Sequence, residues 1–496
     1  MKPSPSTCSG VAVLSLAALA AGAQIQKAGL TLPASAAANR ELVHQTFLTG
    51  YNAYKQFAFG HDDLAPKTRS FSNPRNGWGA SIFDAMPTLN IMGETALFNE
   101  AVNFAAGVDF SHSNTGDHVS FFETTIRYLG GMLSAYELGG RNNSALLANA
   151  RRLGDKLAVG WAGQAVPVGS INFNTSTPDV GGGPNNLASA ASNIIEFAKL
   201  AQYTGNQTYL QLADRTMRTI ANNPRPVFPG LPPLQVNPDG SGSGSQVTWD
   251  GGYDSYLEYL IKYGRITSFK DPLWANSWLT AVQSSITNLL KNTTAQGRTY
   301  LTSMSGGIHD YGMGDLACFA GGNWIMGGRL LGRDDIVQLG LKITDSCMAT
   351  YATGSGLGPG GWQFAPTDAG ASIPASQQAF YNAHGFYITD RSYDVRPEVF
   401  ESAFYAWRAT GDTKYQDFAA SGIRAIRSFL NSTVGYAPLN DVTQSTWSLN
   451  NQGNDLESFF FAEVMKYLYL MFDDPAHISL DEWVFTTEAH PVLPNL

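Results

Sequence analysis

From about residue 78 onward the chain repeats one unit: an aromatic-rich helical stretch apolar on nearly every face, a short turn often holding Gly with Asp or Asn, and a second stretch apolar on one face. "WGASIFDAMPTLNIMG" is followed by "ALFNEAVNFAAGV", "FFETTIRYLGGMLSAYELGG" by "SALLANARRLGDKLA", and "NNLASAASNIIEFAKLAQYTGN" by "TYLQLADRTMRTIA". "YDSYLEYLIKYG" then precedes "WANSWLTAVQSSITNLL", "LACFAGGNWIMGGRLLG" precedes "DIVQLGLKITDSCMATYA", and "RPEVFESAFYAWRATGD" precedes "YQDFAASGIRAIRSFL". A helix apolar all round must be buried and a one-sided helix lies outside it, so each of these six pairs supplies an inner and an outer helix.

Two helical stretches are left without partners, "RELVHQTFLTGYNAYKQFAF" at the front and "LESFFFAEVMKYLYLMF" near the end. Pairing first with last makes a seventh hairpin and closes a ring, which predicts an all-α (α/α) barrel forming a single domain over residues 36–496. An open solenoid of hairpins is the other arrangement, but it needs polar terminal caps and neither end helix is polar. The insertion near 225–252, with "PLQV" and "QVTW" flanking an N-P-D-G turn, is too rich in Pro and Gly for a helix and predicts a β-hairpin. It is either a lid on one end of the barrel or a plain surface excursion.

Charged residues make up 14% of the chain, against about 25% in an average soluble protein. With a net charge of −9 and no basic block to track phosphates, a nucleic-acid partner is excluded. The opening segment has one early lysine, an apolar run from Val11 to Ala20 and small residues before Gln24, which reads as a signal peptide over 1–23. The run is too short for a stable membrane span, so a short anchor is the weaker reading. Secretion, or residence in the lumen of the secretory pathway, fits the N-x-S/T acceptors at Asn142, Asn174, Asn206, Asn292 and Asn431. With Cys8 removed, Cys318 and Cys347 remain; in an oxidising compartment they would pair, adding about 3–4 kcal/mol on the chain-entropy model, the alternative being two free buried thiols.

Acids interrupt the apolar inner helices. Glu123 sits in "SFFETTIRYL", Asp254 in "GGYDSYLEYL", Glu398 and Glu401 in "RPEVFESAFY", and Glu457 and Glu463 in "LESFFFAEVMKYL". An unpartnered buried carboxylate costs several kcal/mol, so the set calls for a cation, a hydrogen-bond network or chemistry. Acids near helix N-termini also complement the helix dipole, which accounts for Glu398 after Pro397 taken singly. As a set they converge on an axial cavity if the inner helices all start at one end, with Arg127 and Arg396 as counter-charges. Carboxylates with aromatic neighbours suit glycoside hydrolysis, a hard-cation site for Ca²⁺, or both. No EF-hand, HExxH, GxSxG or Walker pattern occurs.

From about residue 40 to the end the chain resembles glycoside hydrolase family 47, the class I α-1,2-mannosidases, through "HDDLAP", "GWGASIFDAM", "VSFFETTIRYLGGMLSAY", "DSYLEYL", "LACF", "RPEVFES", "ESFFFAEVMKYLYLMF" and "FTTEAHP". The resemblance implies an (α/α)7 barrel and an inverting, Ca²⁺-assisted hydrolase of terminal α-1,2-linked mannose on high-mannose N-glycans or oligosaccharides; a monomer is expected. By motif it implies Glu123 as general acid acting through a water, Glu398 as general base and Asp254 as a third essential carboxylate. Arg127, Arg396, Glu463 and Glu488 would hold mannose or the waters around it, and Phe459 would stack on the sugar. Thr487 would offer hydroxyl and carbonyl to Ca²⁺ from a tail that plugs the closed end, His490 being a packing or hydrogen-bonding residue and not a ligand, and Cys318 and Cys347 match the family disulfide in spacing.

The chain also departs from the family: Asp315 stands where a histidine is usual, Pro87 where aspartate is frequent, Ser189 where glutamate is frequent, and Gly252 where the endoplasmic-reticulum type has a branch-selecting arginine. These leave open an altered linkage preference, or a lectin-like relative that binds mannose without cleaving it.

Overall fold

The two kinds of helix separate as their side-chain patterns require in the computed structural model, which describes residues 24–116 and 118–496. The expected leader over 1–23, Cys8 included, lies outside the described residues. In the inner helix Ala80–Ile91 every residue but Asn90 is buried. In the outer helix Ser144–Ala158 burial is confined to Leu146, Asn149, Ala150, Leu153, Gly154 and Leu157, the spacing of a single helical face.

Going round the ring, Ala80–Ile91 packs on Gly130–Leu138, then come Ile194–Thr204, Asp254–Ile266, Phe319–Leu330, Glu398–Thr410 and Met465–Phe472. The π-helical turn Phe460–Val464, leading into the last of these, packs back on Ala80–Ile91 and shuts the ring. Each inner helix has an outer neighbour, and the outer partner of Met465–Phe472 is the first helix, Ala36–Phe57. Among the described residues this makes seven inner helices backed by seven outer ones, the (α/α)7 barrel closed by first and last.

Close packing depends on a few small residues. A Cβ on Gly327 would lie 2.3 Å from the Trp278 ring, so the inner and outer layers meet there only because the side chain is missing. Pro87 lies inside the Ala80–Ile91 helix and takes away the N–H that would bond the Phe83 carbonyl. That carbonyl would be 2.5 Å from a Cβ on Gly131, so glycine on the next inner helix makes room for it.

The insertion near 225–252 does form a hairpin, Gln235–Val236 against Gly242–Ser243, with Asn185–Asn186 as a third strand. It is shorter than the sequence pattern suggests. "QVTW" returns to "PLQV" at its first residue, the Leu234 N–H donating to the Gln246 carbonyl at 2.8 Å; Val247 then exchanges backbone hydrogen bonds of 2.9 Å with Met304. Cys318 and Cys347 are bonded, tying the start of one inner helix to the end of its outer partner across 29 residues. No helix of the described residues is long and apolar enough to cross a membrane.

At the closed end, residues 25–27 meet the segment that leads to the C-terminus. The Ile25 N–H donates to Asp481 Oδ1 at 2.6 Å, the Lys27 N–H to the Arg408 carbonyl at 2.8 Å, and the Leu480 N–H to Gln26 Oε1 at 3.0 Å. Beyond them the chain turns inward as a short hairpin, Val484–Phe485 paired with Pro491–Val492, whose tip carries residues 486–490.

Candidate active site

The N-terminal ends of the inner helices converge on an axial cavity of about 360 Å³. Glu123, Asp254 and Glu398 line it, as do Arg127, Arg396, Phe459, Glu463, Thr487 and Glu488, so the candidate residues from five separated stretches share one site. Asp254 and Glu398 are each the first residue of an inner helix. Arg127 and Glu463 lie on π-helical turns, Thr124–Leu129 and Phe460–Val464, where the extra residue per turn re-aims the side chains.

Eight acids line the cavity (Glu123, Asp254, Glu258, Glu398, Glu401, Glu457, Glu463, Glu488) against three arginines, Arg75, Arg127 and Arg396. The arginines are unevenly shared. Arg127 Nε donates to Glu123 Oε2 at 2.7 Å, and the same guanidinium reaches Asp84 at 3.4 Å and also pairs with Glu488. Arg75 adds a bond to Glu123 at 3.4 Å and one to Asp63 at 2.8 Å, and pairs with Glu457.

Protonation follows from this. Burial pushes Glu123 up, but Arg127 and Arg75 outweigh it and hold its carboxyl below the ordinary range. Asp254, whose Oδ1 accepts the Ser255 N–H at 2.8 Å, is pushed by burial up to about 7. Burial also raises Glu398, whose Oε2 has no hydrogen-bond partner, with Arg396 only partly offsetting it. Glu401 is pushed up to about 8 by burial despite Lys262 at 3.8 Å. Glu463 and Glu488 are raised well above the carboxylate range by burial, Glu463 further by its neighbour Glu488.

Phe459 is 2% exposed and lies 4.8 Å from the Arg396 guanidinium and 5.5 Å from that of Arg127, ring centroid to carbon. Much of its surface is therefore already covered. His490 is fully buried, 3.4 Å from Asp84, and its ring is pushed by burial down to about 4, so it packs as a neutral imidazole.

The four departures differ in position. Ser189 and Gly252 line the cavity, whereas Pro87 does not. Gly252 has φ +83°, so the loop itself requires glycine there, apart from the room it leaves. Asp315 sits just before Leu316, a lining residue; its Oδ1 accepts the Leu316 N–H at 2.9 Å, and burial followed by the charge of Glu398 pushes its carboxyl well up.

Several residues at the site carried no readable signal in sequence. Arg75 lies in the Gly- and Asn-rich "NPRNGWGA" loop, which has no periodicity. It is fixed by Asp62, whose carboxylate accepts N–H groups of Arg75, Gly77, Trp78, Gly79 and Ala80 at 2.8–3.2 Å. Asp84, Glu258, Lys262 and Lys466 merge into helices whose other residues are core.

Comparison with known proteins accords with this geometry. A model of glycosyl hydrolase family 47 matches residues 46–493. A probable mannosyl-oligosaccharide α-1,2-mannosidase 1B of Aspergillus niger is 36% identical, covering 91% of each chain, and a mannosyl-oligosaccharide α-1,2-mannosidase of Penicillium citrinum is 36% identical over 93% of each. The solved α-1,2-mannosidase from Trichoderma reesei superposes with a TM-score of 0.89 at 35% identity, covering 92% of this chain and 99% of that one. The chain belongs to glycosyl hydrolase family 47, and is a glycoside hydrolase built on that family's barrel.

Proposed function

We propose that the protein is a Ca²⁺-dependent, inverting exo-mannosidase that removes terminal α-1,2-linked mannose from high-mannose oligosaccharides or N-glycoproteins, acting in the secretory pathway or outside the cell. The observation that carries this is the blind cavity: Glu123, Asp254 and Glu398 meet in a chamber whose far end is filled by Thr487 and Glu488, so a glycan can enter only by a chain end. The names of the Aspergillus, Penicillium and Trichoderma relatives supply the sugar and linkage. Sequons at Asn142, Asn174, Asn292 and Asn431 are exposed and that at Asn206 half-buried, which supports use of the first four in a secreted chain.

The donor set fits a hard cation. Eight acids face three arginines, Thr487 and Glu488 line the cavity, and no histidine or cysteine is among its lining residues. In this reading Thr487 and water are the principal ligands, the resemblance of "FTTEAHP" to the family motif supporting the threonine. When bound, Ca²⁺ supplies charge that orients sugar hydroxyls exchanged for its waters.

In this reading Glu398 takes the proton of the attacking water, its free Oε2 being the unoccupied acceptor. Glu123, pinned as a carboxylate by Arg127 and Arg75, steers a donor water to the leaving oxygen. Asp254, at about 7, stores the proton that this water delivers. Because the stored proton is lost as pH rises through about 7, kcat/KM is expected to decline there. The residual activity of Asp254→Asn should lack that alkaline limb, and an unchanged limb in the variant would remove Asp254 from the role.

A second reading rests on Asp315. Burial raises its carboxyl, as it raises that of Glu398, and the charge of Glu398 raises Asp315 further; a protonated Glu398 cannot accept a proton, as in a lectin-like relative. Release of mannose from defined α-1,2, α-1,3 and α-1,6 disaccharides, with calcium and with EDTA, separates the readings. Rapid release from the α-1,2 substrate alone, abolished by EDTA, is expected; glycan binding without product would favour the lectin.

A further inference from the structure

Thr487 and Glu488 lie at the tip of a tight turn. The Thr486 N–H donates to the His490 carbonyl at 2.9 Å, the Ala489 N–H to the Thr486 carbonyl at 2.9 Å, and the His490 N–H to Thr486 Oγ1 at 3.1 Å. Ala489 adopts φ +52°, the left-handed region that a residue with a Cβ rarely takes unless its surroundings hold it there.

Two side chains that do not line the cavity grip this turn. Lys466, fully buried on the last inner helix, donates from Nζ to the carbonyl of the strained Ala489 at 2.6 Å. Tyr259, buried on the Asp254–Ile266 helix, donates its hydroxyl hydrogen to Glu196 Oε1 at 2.6 Å. That leaves only oxygen lone pairs for the tail, and the Thr487 N–H donates to them at 3.1 Å. The two helices stand apart in the ring, so the turn is held from two sides, at the backbone of Thr487 itself and two residues beyond it.

We propose that Tyr259 and Lys466 are positioning residues that aim the Thr487 oxygens into the cavity and thereby set the affinity of the cation site. The proposal rests on the reading of Thr487 as a Ca²⁺ ligand. Neither side chain touches sugar; each acts through the backbone of the turn, and the strained Ala489 makes the turn prone to relax when one grip is lost.

The test uses Tyr259→Phe, which keeps the ring and removes only the oxygen, and Lys466→Met, which keeps the stem. Titration calorimetry with CaCl₂ on chelator-treated protein should show binding about 10–100-fold weaker than wild type, the range seen when groups supporting a metal ligand are removed. Activity of Tyr259→Phe at low calcium should fall and recover at high calcium, a rescue that general loss of structure would not allow. In EDTA, amide hydrogen exchange of the 484–492 segment should accelerate about ten-fold in both variants while the helices keep wild-type protection. Wild-type calcium affinity together with wild-type exchange in Tyr259→Phe would overturn the proposal, whatever Lys466→Met does. A wild-type protein that takes up no calcium would instead refute the cation reading, and the exchange in EDTA would still decide whether Tyr259 and Lys466 hold the turn.

Discussion

Glu398→Gln is expected to lower kcat by about 10²–10⁴-fold, the usual worth of a positioned general base, with little change in KM. The amide keeps the size and the hydrogen-bonding reach of the carboxyl but cannot accept the proton of a water. The same substitution should raise the melting temperature of the calcium-free protein. Glu398 is buried, its Oε2 is unpartnered, and the charges of Asp250 and Glu258 oppose its ionisation. Removing that liability relieves repulsion, at roughly 2 °C for each kcal/mol. A slower but more stable enzyme identifies a group retained for chemistry, whereas a slower and less stable one would show that Glu398 holds the barrel together. Steady-state kinetics with a mannobiose substrate and differential scanning calorimetry measure the two halves.

Calcium-free protein should lose stability as pH rises from about 5 to about 8, and calcium should reverse the trend. Glu196 and Glu401 are pushed up to about 8 and Asp254 to about 7, while Glu398, Glu463, Glu488 and Asp315 are also raised, all chiefly by burial. For each, the folded state holds its proton more tightly than the unfolded chain does. The stability this brings is full below the ordinary carboxylate range and is lost as pH climbs through the raised values. Burial also lowers basic groups, His490 to about 4, Lys466 to about 7, and Lys199, His309 and His384 below their ordinary values, giving slopes of the opposite sign, but the seven raised carboxyls outnumber them in this window. A cation favours the ionised carboxylates, so its binding releases protons and stabilises most at the alkaline end. Calcium at 100-fold over its Kd should add about 2.7 kcal/mol. Melting temperatures at pH 5 and pH 8, with EDTA and with calcium, test both signs; a flat profile in EDTA would mean that the carboxyls share their charges better than their burial indicates.

The barrel was legible because its signal is long and redundant. Six inner helices read as apolar on all faces and six outer ones on one, and closure followed from two unpaired end helices that could not face water. The convergence of Glu123, Asp254 and Glu398 was legible for a related reason, since acids stand out against an apolar run. Arg75 did not stand out, because in an irregular loop every residue type is unremarkable and its place is set by Asp62, thirteen residues earlier. Lys466 and Tyr259 were illegible for the opposite reason: each reads as one more member of its helix, and only the folded tail reveals what it touches. The bridge from Val247 to Met304 was not legible, because no turn signal links the two segments.

Closure of the ring by Ala36–Phe57 against Met465–Phe472 has a consequence for biosynthesis. This first helix of the described residues waits for its neighbour until almost the whole polypeptide has emerged, and the plug that completes the cavity, residues 484–492, is made near the very end. An unfinished chain therefore has no enclosed chamber in which to cleave sugar, and catalytic competence arrives only with the end of synthesis.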